Sequence, residues 1–253
     1  MTTLAVSEWG DPTGAPVVCL HGVTGHRNRF AALAARLPQH RVIGVDLLGH
    51  GDSSRLPPWG LDAHLASLVA TADSLGLERA TWVGHSFGGR LVAELVARRG
   101  ERVSAAVLLD PALSLEPEIT APRAEGLCAD LSFPSPDAAI DARLTDGSLL
   151  STPRSTVEDE AAAHLAQRDD GRWEWRYSRP AVICAWSIMS TPGAGVPTSV
   201  PTLVVLGRES WIEPPPMPKL ATLTVVAVPG GHSVLWDAFE PTSAAIAEFL
   251  GSR

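Results

Sequence analysis

Thr81-Trp82-Val83-Gly84-His85-Ser86-Phe87-Gly88-Gly89-Arg90 is the stretch on which the reading of this chain turns. A short apolar strand runs into Gly84-His85-Ser86-Phe87-Gly88, a G-x-S-x-G pattern, and Leu91, Val92, Leu95 and Val96 then recur at helical spacing. A serine on so sharp a strand-to-helix turn carries a strained backbone, and a Cβ two residues to either side would crowd the neighbouring strand or helix. The spacing therefore predicts a nucleophile elbow that presents the Ser86 hydroxyl alone. Phe87 opens the helix, so its N–H has no intrahelical acceptor and sits at the positive end of the helix dipole, placed to stabilise an oxyanion. The alternative is a glycine-rich turn that happens to contain serine; the strand before it and the amphipathic helix after it favour the nucleophile.

Outward from the elbow, apolar strands alternate with amphipathic helices. Val17 to Leu20 reads as a buried strand, and Phe30, Leu33, Ala34 and Leu37 as a helix capped by Asn28 and stopped by Pro38. Val42 to Val45 is a second strand, followed by a Gly-punctuated loop from Asp46 to Ser53 and a helix carrying Leu61, Leu65, Leu68 and Leu75. The helix after the elbow closes with Arg98, Arg99 and a Gly100 C-cap, and Val103 to Leu109 is again apolar. Strands apolar on both faces imply a mostly parallel sheet covered by helices on both sides.

That rhythm stops after Asp110-Pro111. From Ala112 to Ser199 no strand is evident, and prolines at 117, 122, 134, 136, 153, 180, 192 and 197 divide the stretch into short helical pieces. Residues 112–199 are expected to form a helical cap, with helix starts at Ser135-Pro136 and Thr156 to Asp159. Its Pro180 to Met189 helix is apolar nearly all round, facing either the sheet domain and a cavity lined by Trp186 and Met189, or only the cap's own core. Strands return at Thr202 to Gly207 and Leu223 to Val228, and a helix from about Pro241 to Leu250 follows. Residues 1–111 and 200–253 thus make one core domain.

Composition narrows the partners. A net charge of −8 with no basic run argues against nucleic acid or an anionic membrane surface, so a small, mostly uncharged molecule is expected. Cys19, Cys128 and Cys184 are odd in number and widely spaced, which suggests buried free thiols rather than disulfides or a metal site. No signal segment or apolar span of about twenty residues is evident, so a soluble cytoplasmic protein is expected. Oligomeric state is not legible.

A serine nucleophile needs a base. Of the eight histidines, His232 follows a strand and two glycines, placing it in a loop at the carboxyl edge of the sheet where Ser86 also lies. His85 lies inside the elbow, and the others lack that context or precede the serine.

With His21-Gly22 after one strand, Asp46 to Ser53 after the next, the Gly84 to Gly88 elbow and Gly231-His232 near the end, the chain resembles an α/β-hydrolase everywhere except the cap. The resemblance implies an oxyanion hole made by the main-chain N–H groups of Val23 and Phe87, a structural loop at Asp46, and no metal or organic cofactor. Relatives with aspartate at the elbow are haloalkane dehalogenases and epoxide hydrolases, and Ser86 argues against both. Many relatives carry their triad aspartate in a G-x-x-D-x-x-x-P pattern; here the frame reads Gly207-Arg208-Glu209-Ser210-Trp211-Ile212-Glu213-Pro214, with serine in its place. A neutral serine cannot stabilise an imidazolium. Asp110, at the end of the strand after the elbow helix, is the favoured acid, with Glu209 the alternative and Glu213 or no acid behind it. An aspartate before proline is also a common turn residue. The expected activity is a serine hydrolase of a small, mostly apolar carboxylic ester or lactone. A carbon–carbon bond hydrolase or lyase on the same fold, and a receptor whose catalysis has decayed, are the alternatives.

Overall fold

Alternate residues of the central strands point to opposite sides, and each side finds its own helices. The computed structural model describes residues 2–251. Its strands are β1 (Val6–Gly10), β2 (Ala15–Leu20), β3 (His40–Val45), β4 (Ala80–His85), β5 (Val103–Leu109), β6 (Leu165–Gln167), β7 (Trp173–Trp175), β8 (Thr202–Gly207) and β9 (Leu223–Val228). Its helices are α1 (Ala31–Ala35), α2 (Leu61–Ser74), α3 (Phe87–Arg99), α4 (Pro117–Gly126), α5 (Pro136–Thr145), α6 (Arg154–His164), α7 (Arg179–Met189), α8 (Val234–Asp237) and α9 (Phe239–Gly251). Seven strands form one sheet in the order β1-β3-β2-β4-β5-β8-β9, parallel except for β1. On one face Val18, Leu20, Trp82 and Leu108 pack with Leu65 and Leu68 of α2 and Leu91 and Leu95 of α3. On the other, Val17, Cys19, Val83 and Val107 pack with Leu33 of α1 and Ile246 and Phe249 of α9. Period-two alternation thus feeds two helical layers from the same strands.

The expected strands and the helices after β4 and β9 are present, and four local details differ. The opening is not irregular: β1 pairs antiparallel with β3 from Val6 opposite Val45 to Gly10 opposite Arg41. As a half-exposed edge strand it lacks the continuous apolar run that marks the central ones. Asn28 lies inside a 3-10 turn, Arg27–Phe30, and accepts a hydrogen bond from Ser7 Oγ at 3.1 Å rather than capping α1. Gly100 has φ −55°, and the chain winds on through a 3-10 turn over Gly100–Arg102, so no left-handed cap ends α3. Cys128 is exposed, whereas Cys19 is buried and Cys184 half-buried.

Between β5 and β8 lie α4, α5, α6 and α7, and with them the antiparallel pair β6–β7, to which Phe133 adds a bridge at Trp173, a departure from an all-helical reading. Each of those strands is three residues long, too short for a period to show. Ser135 Oγ accepts from Ala138 N–H at 3.2 Å and caps α5 as its Ser-Pro start predicts, whereas α6 begins at Arg154, two residues before Thr156. This segment has a small core of its own, built on Ile140, Val157, Ala161 and Trp175. Val182, Ala185 and Met189 of α7 instead join the core around α2 and α3.

Arg90 of α3 ties down both ends of that segment. Its guanidinium donates to the main-chain oxygen of Leu113 at the near end, and to those of Thr191 and Pro192, at 3.0 and 3.3 Å, at the far end. Glu94, one helical turn on, balances the buried charge at 3.0 Å. Asp237 makes a second tie, accepting from Gly231 N–H at 3.0 Å and from Thr152 Oγ at 2.6 Å.

Candidate active site

The turn at Ser86 is possible only with its glycines. Ser86 has φ +53° and ψ −114°, a conformation a side chain rarely adopts, between the last residue of β4 and the first of α3. A Cβ on Gly84 would meet Gly88 O at 2.3 Å, and one on Gly88 would meet Leu20 O at 2.3 Å. The strained turn is held on both sides of its peptide: Ser86 N–H donates to Leu109 O at 3.0 Å, and Ser86 O accepts from Arg90 N–H and Ala112 N–H.

His232 faces the serine from the loop after β9. Its Nε2 lies 2.9 Å from Ser86 Oγ, and its Nδ1 lies 2.7 Å from Asp110 Oδ2. Nδ1–H donates to the carboxylate, which leaves Nε2 free to accept from the hydroxyl. Asp110, 2 % exposed, ends β5 with φ +43°, so it too sits on a strained turn. Gly207 N–H donates to its Oδ1 at 3.0 Å and Ser210 Oγ to its Oδ2 at 2.5 Å. Of the three acids weighed from the sequence, only Asp110 is brought to His232; Glu209 and Glu213 are exposed.

Two further histidines orient this site. His85 Nε2–H donates to His232 O at 2.9 Å. Burial first, and then the neighbouring His232, push the His85 pKa well below the usual imidazole value. A neutral ring with its proton on Nε2 therefore holds the main chain of His232. His21, fully buried, is held neutral by burial first and by His50 second. Its Nδ1–H donates to Gly22 O at 2.7 Å, while its Nε2 accepts from Leu47 N–H at 3.1 Å. Gly22 O also accepts from Gly25 N–H. In a trans peptide the carbonyl and the N–H point opposite ways, so fixing Gly22 O turns Val23 N–H away from these partners. Val23 lines the same cavity as Ser86 and His232. Phe87 N–H, at the first position of α3, has no intrahelical acceptor. Asp46, for which no catalytic role is read from the sequence, is buried and organises its loop: it accepts from Arg27 N–H at 2.8 Å and Asp52 N–H at 3.0 Å.

The cavity over Ser86 holds about 280 Å³. Trp186, Trp211 and Trp236 supply its apolar wall; Arg29, Arg123 and Arg143 also reach it. Trp186 is where the sequence expects it, but Met189 is not: its side chain is fully buried in the core beneath α7. Residues three apart share a helix face, and both side chains pack in the core around α2 and α3, but Trp186 reaches the cavity and Met189 does not. Trp211 and Trp236 follow β8 and β9 closely, a placement that could have marked them; nothing in the sequence marks Arg143. Among the described residues, no group of three or more His, Cys, Asp or Glu side chains is arranged to hold a metal ion. No described helix is long and apolar enough to cross a membrane.

Comparison with known proteins agrees with this architecture. Residues 15–127 match a family described as alpha/beta hydrolase fold. The chain is 34% identical over 202 residues to Lipase LipV of Mycobacterium tuberculosis, covering 80% of this chain and 77% of that protein. It is 31% identical over 212 residues to 2-hydroxymuconate semialdehyde hydrolase of Pseudomonas sp. strain CF600, covering 79% and 72%. Among solved structures, E-2-(acetamidomethylene)succinate hydrolase superposes with a TM-score of 0.84 at 22% identity, covering 98% of this chain and 95% of that one.

Proposed function

Starting from a chain that belongs to the α/β-hydrolase family, we propose a serine hydrolase that cleaves a small carboxylic ester or lactone through an acyl-enzyme. The observation that carries this reading is the unbroken line from Asp110 Oδ2 through His232 to Ser86 Oγ, at 2.7 and 2.9 Å. His232 Nε2 takes the proton as Ser86 Oγ attacks the carbonyl carbon, and Asp110 stabilises the imidazolium that forms. Val23 and Phe87 N–H bind the developing oxyanion. His232 then protonates the leaving alkoxide, activates a water, and the same hole serves the second tetrahedral intermediate. Residues 112–199 act as the cap that closes the substrate over Ser86. The substrate is a small molecule with an apolar body against Trp186, Trp211 and Trp236, and the protein works in the cytoplasm.

The relative named as a lipase supports ester cleavage, and the relative named as a semialdehyde hydrolase supports the second reading, a carbon–carbon bond hydrolase using the same serine and histidine. A decayed receptor is disfavoured, because Ser210 in place of the expected aspartate is matched by Asp110 within reach of His232. Fluorophosphonate labelling followed by intact mass tests the proposal: rapid single labelling in wild type and none in Ser86→Ala is expected, with turnover of p-nitrophenyl butyrate. Absence of labelling in folded wild type overturns it; labelling without ester turnover favours the second reading.

A further inference from the structure

In a protein of net charge −8, the cavity over Ser86 is lined by three arginines, Arg29, Arg123 and Arg143, and by a single carboxylate, Asp146. Two of the three are nearly out of solvent. The side chains of Arg29 and Arg143 are 13% and 11% exposed, and both turn to one buried carboxylate, Glu160, at 1%. Arg29 pairs with it closely; Arg143 Nη2 stands 3.4 Å away. Two cations thus share one buried anion, with the exposed Asp146 acting on Arg29 from farther off. The neighbouring histidines do not alter that balance, because burial holds both His26 and His164 neutral, His26 pushed down to about 4.

A buried surplus cation is costly unless something answers it. The hydrogen bonding is equally incomplete. Among the described residues, the Arg29 side chain hydrogen-bonds to Glu160 alone; the Nε atoms of both arginines and Oε2 of Glu160 are buried without a hydrogen-bond partner, while Arg29 stacks on Trp236 and Arg143 on Trp175. A guanidinium offers about five donors; the two Nε–H groups are closed off, so the capacity left for a molecule in the cavity lies on the Nη groups, that of Arg29 Nη1 above all. Arg143 is also fastened to the loop beside Val23: Nη1 donates to Thr24 Oγ1 at 3.0 Å and Nη2 to Thr24 O at 3.3 Å. Thr24 has φ +62°, so this contact holds a strained residue one position from a proposed oxyanion donor. The cavity therefore presents aromatic surface, a serine, and a fixed positive wall formed by α5 and the turn over Arg27–Phe30.

We infer that the substrate carries a carboxylate, bound by Arg143 and Arg29 while Ser86 attacks an ester or lactone carbonyl in the same molecule. The inference rests on the serine-hydrolase reading and narrows it: the apolar body lies on the tryptophans and the charged end supplies the anion that the arginine pair lacks. Arg143 and Arg29 select the substrate; neither touches the reacting bond. Charge-assisted hydrogen bonds from guanidinium to carboxylate are the strong ones, and their loss falls on anionic substrates far more than on neutral ones.

The test compares p-nitrophenyl hemiadipate with p-nitrophenyl methyl adipate, which differ only in the charge at the far end. Wild type is expected to favour the hemiadipate in kcat/KM by about ten- to a hundredfold, the range such a bond supplies. That ratio is expected to fall to near one in Arg143→Gln and to be partly kept in Arg143→Lys. A purely structural Arg143 would lower both esters alike and leave the ratio alone. Adipate is also expected to protect Ser86 of wild type from the fluorophosphonate where adipamide does not, a readout independent of any variant; Arg29→Gln serves if Arg143→Gln does not fold. Equal or better cleavage of the neutral ester by wild type, a ratio unmoved in folded variants, or equal protection by adipate and adipamide overturns the inference while leaving the hydrolase standing. Failure of the fluorophosphonate to label wild type at all overturns both.

Discussion

Ser210 Oγ donates to Asp110 Oδ2 at 2.5 Å, the same oxygen that accepts His232 Nδ1–H at 2.7 Å. The residue standing where many α/β-hydrolases carry their acid is thus bonded to Asp110, the acid proposed in its place. Ile212 N–H in turn donates to Ser210 Oγ at 3.1 Å, which aims the hydroxyl's proton at the carboxylate. Two positions on neighbouring strand ends, β5 and β8, share one task.

Removing the carboxylate charge while keeping its shape should cost most of the activity. Asp110→Asn is expected to lower kcat by about a thousand- to ten-thousandfold, because the imidazolium then forms without its counter-charge. Ser210→Ala, which removes one neutral donor, is expected to lower it only about three- to tenfold. Steady-state kinetics on a short p-nitrophenyl ester reads both; an Asp110→Asn enzyme at wild-type rate would take the acid role away from Asp110.

The elbow leaves no room for a methyl group. A Cβ on Gly88 would sit 2.3 Å from the main-chain oxygen of Leu20, which belongs to β2 and cannot rotate away. Gly88→Ala is therefore expected to destabilise the fold by about 3 kcal/mol, read as a lower urea midpoint at unchanged slope. Gly100→Ala, with nothing near its Cβ position and a helical φ, is the control and is expected to be neutral or slightly stabilising.

Arg90 is 1% exposed and bonded to three main-chain oxygens and to Glu94. Arg90→Ala strands those acceptors and leaves Glu94 with Arg98 and Ala194 N–H as partners. A loss of about 3 kcal/mol is expected, together with faster proteolysis within residues 112–199, since both ends of that segment are released. Limited proteolysis with mass mapping distinguishes this from uniform destabilisation.

Acid should unfold this protein through its histidines. Burial pushes His50 down to about 4 and His64 to about 3, while in the unfolded chain both return to about 6.5. Between those values the unfolded state binds protons that the folded state refuses, so stability rises with pH. The contribution is whole above about pH 6.5 and is lost as pH falls toward 4, at about 1.4 kcal/mol per pH unit for each such histidine. Urea titrations at pH 7, 6 and 5 should show it, and His64→Gln should flatten the slope by roughly one proton. An unchanged slope would mean that His64 does not titrate on unfolding.

Periodicity and chemistry carried along the chain were enough for the sheet, its helical layers, the turn at Ser86 and the expectation that His232 lies near it. Each rests on local rules: alternation of apolar residues, glycines flanking a strained serine, a histidine just past a strand. The half-exposed edge strand β1 and the three-residue strands β6 and β7 escaped because too few residues carry their pattern. For the acid, the sequence favours Asp110 but leaves Glu209, Glu213 or no acid open, since strand ends alone do not say which carboxylate reaches His232. Adjacency of β5 and β8 in the sheet, and the inward turn of Asp110 at φ +43°, brought this one to His232 and left Glu209 and Glu213 in solvent. Of the cavity lining the sequence marks Trp186, but the arginines on its wall are beyond it. Arg29 and Glu160 are 131 positions apart, and no spacing rule reaches across an inserted segment whose packing against the sheet domain decides which charges meet.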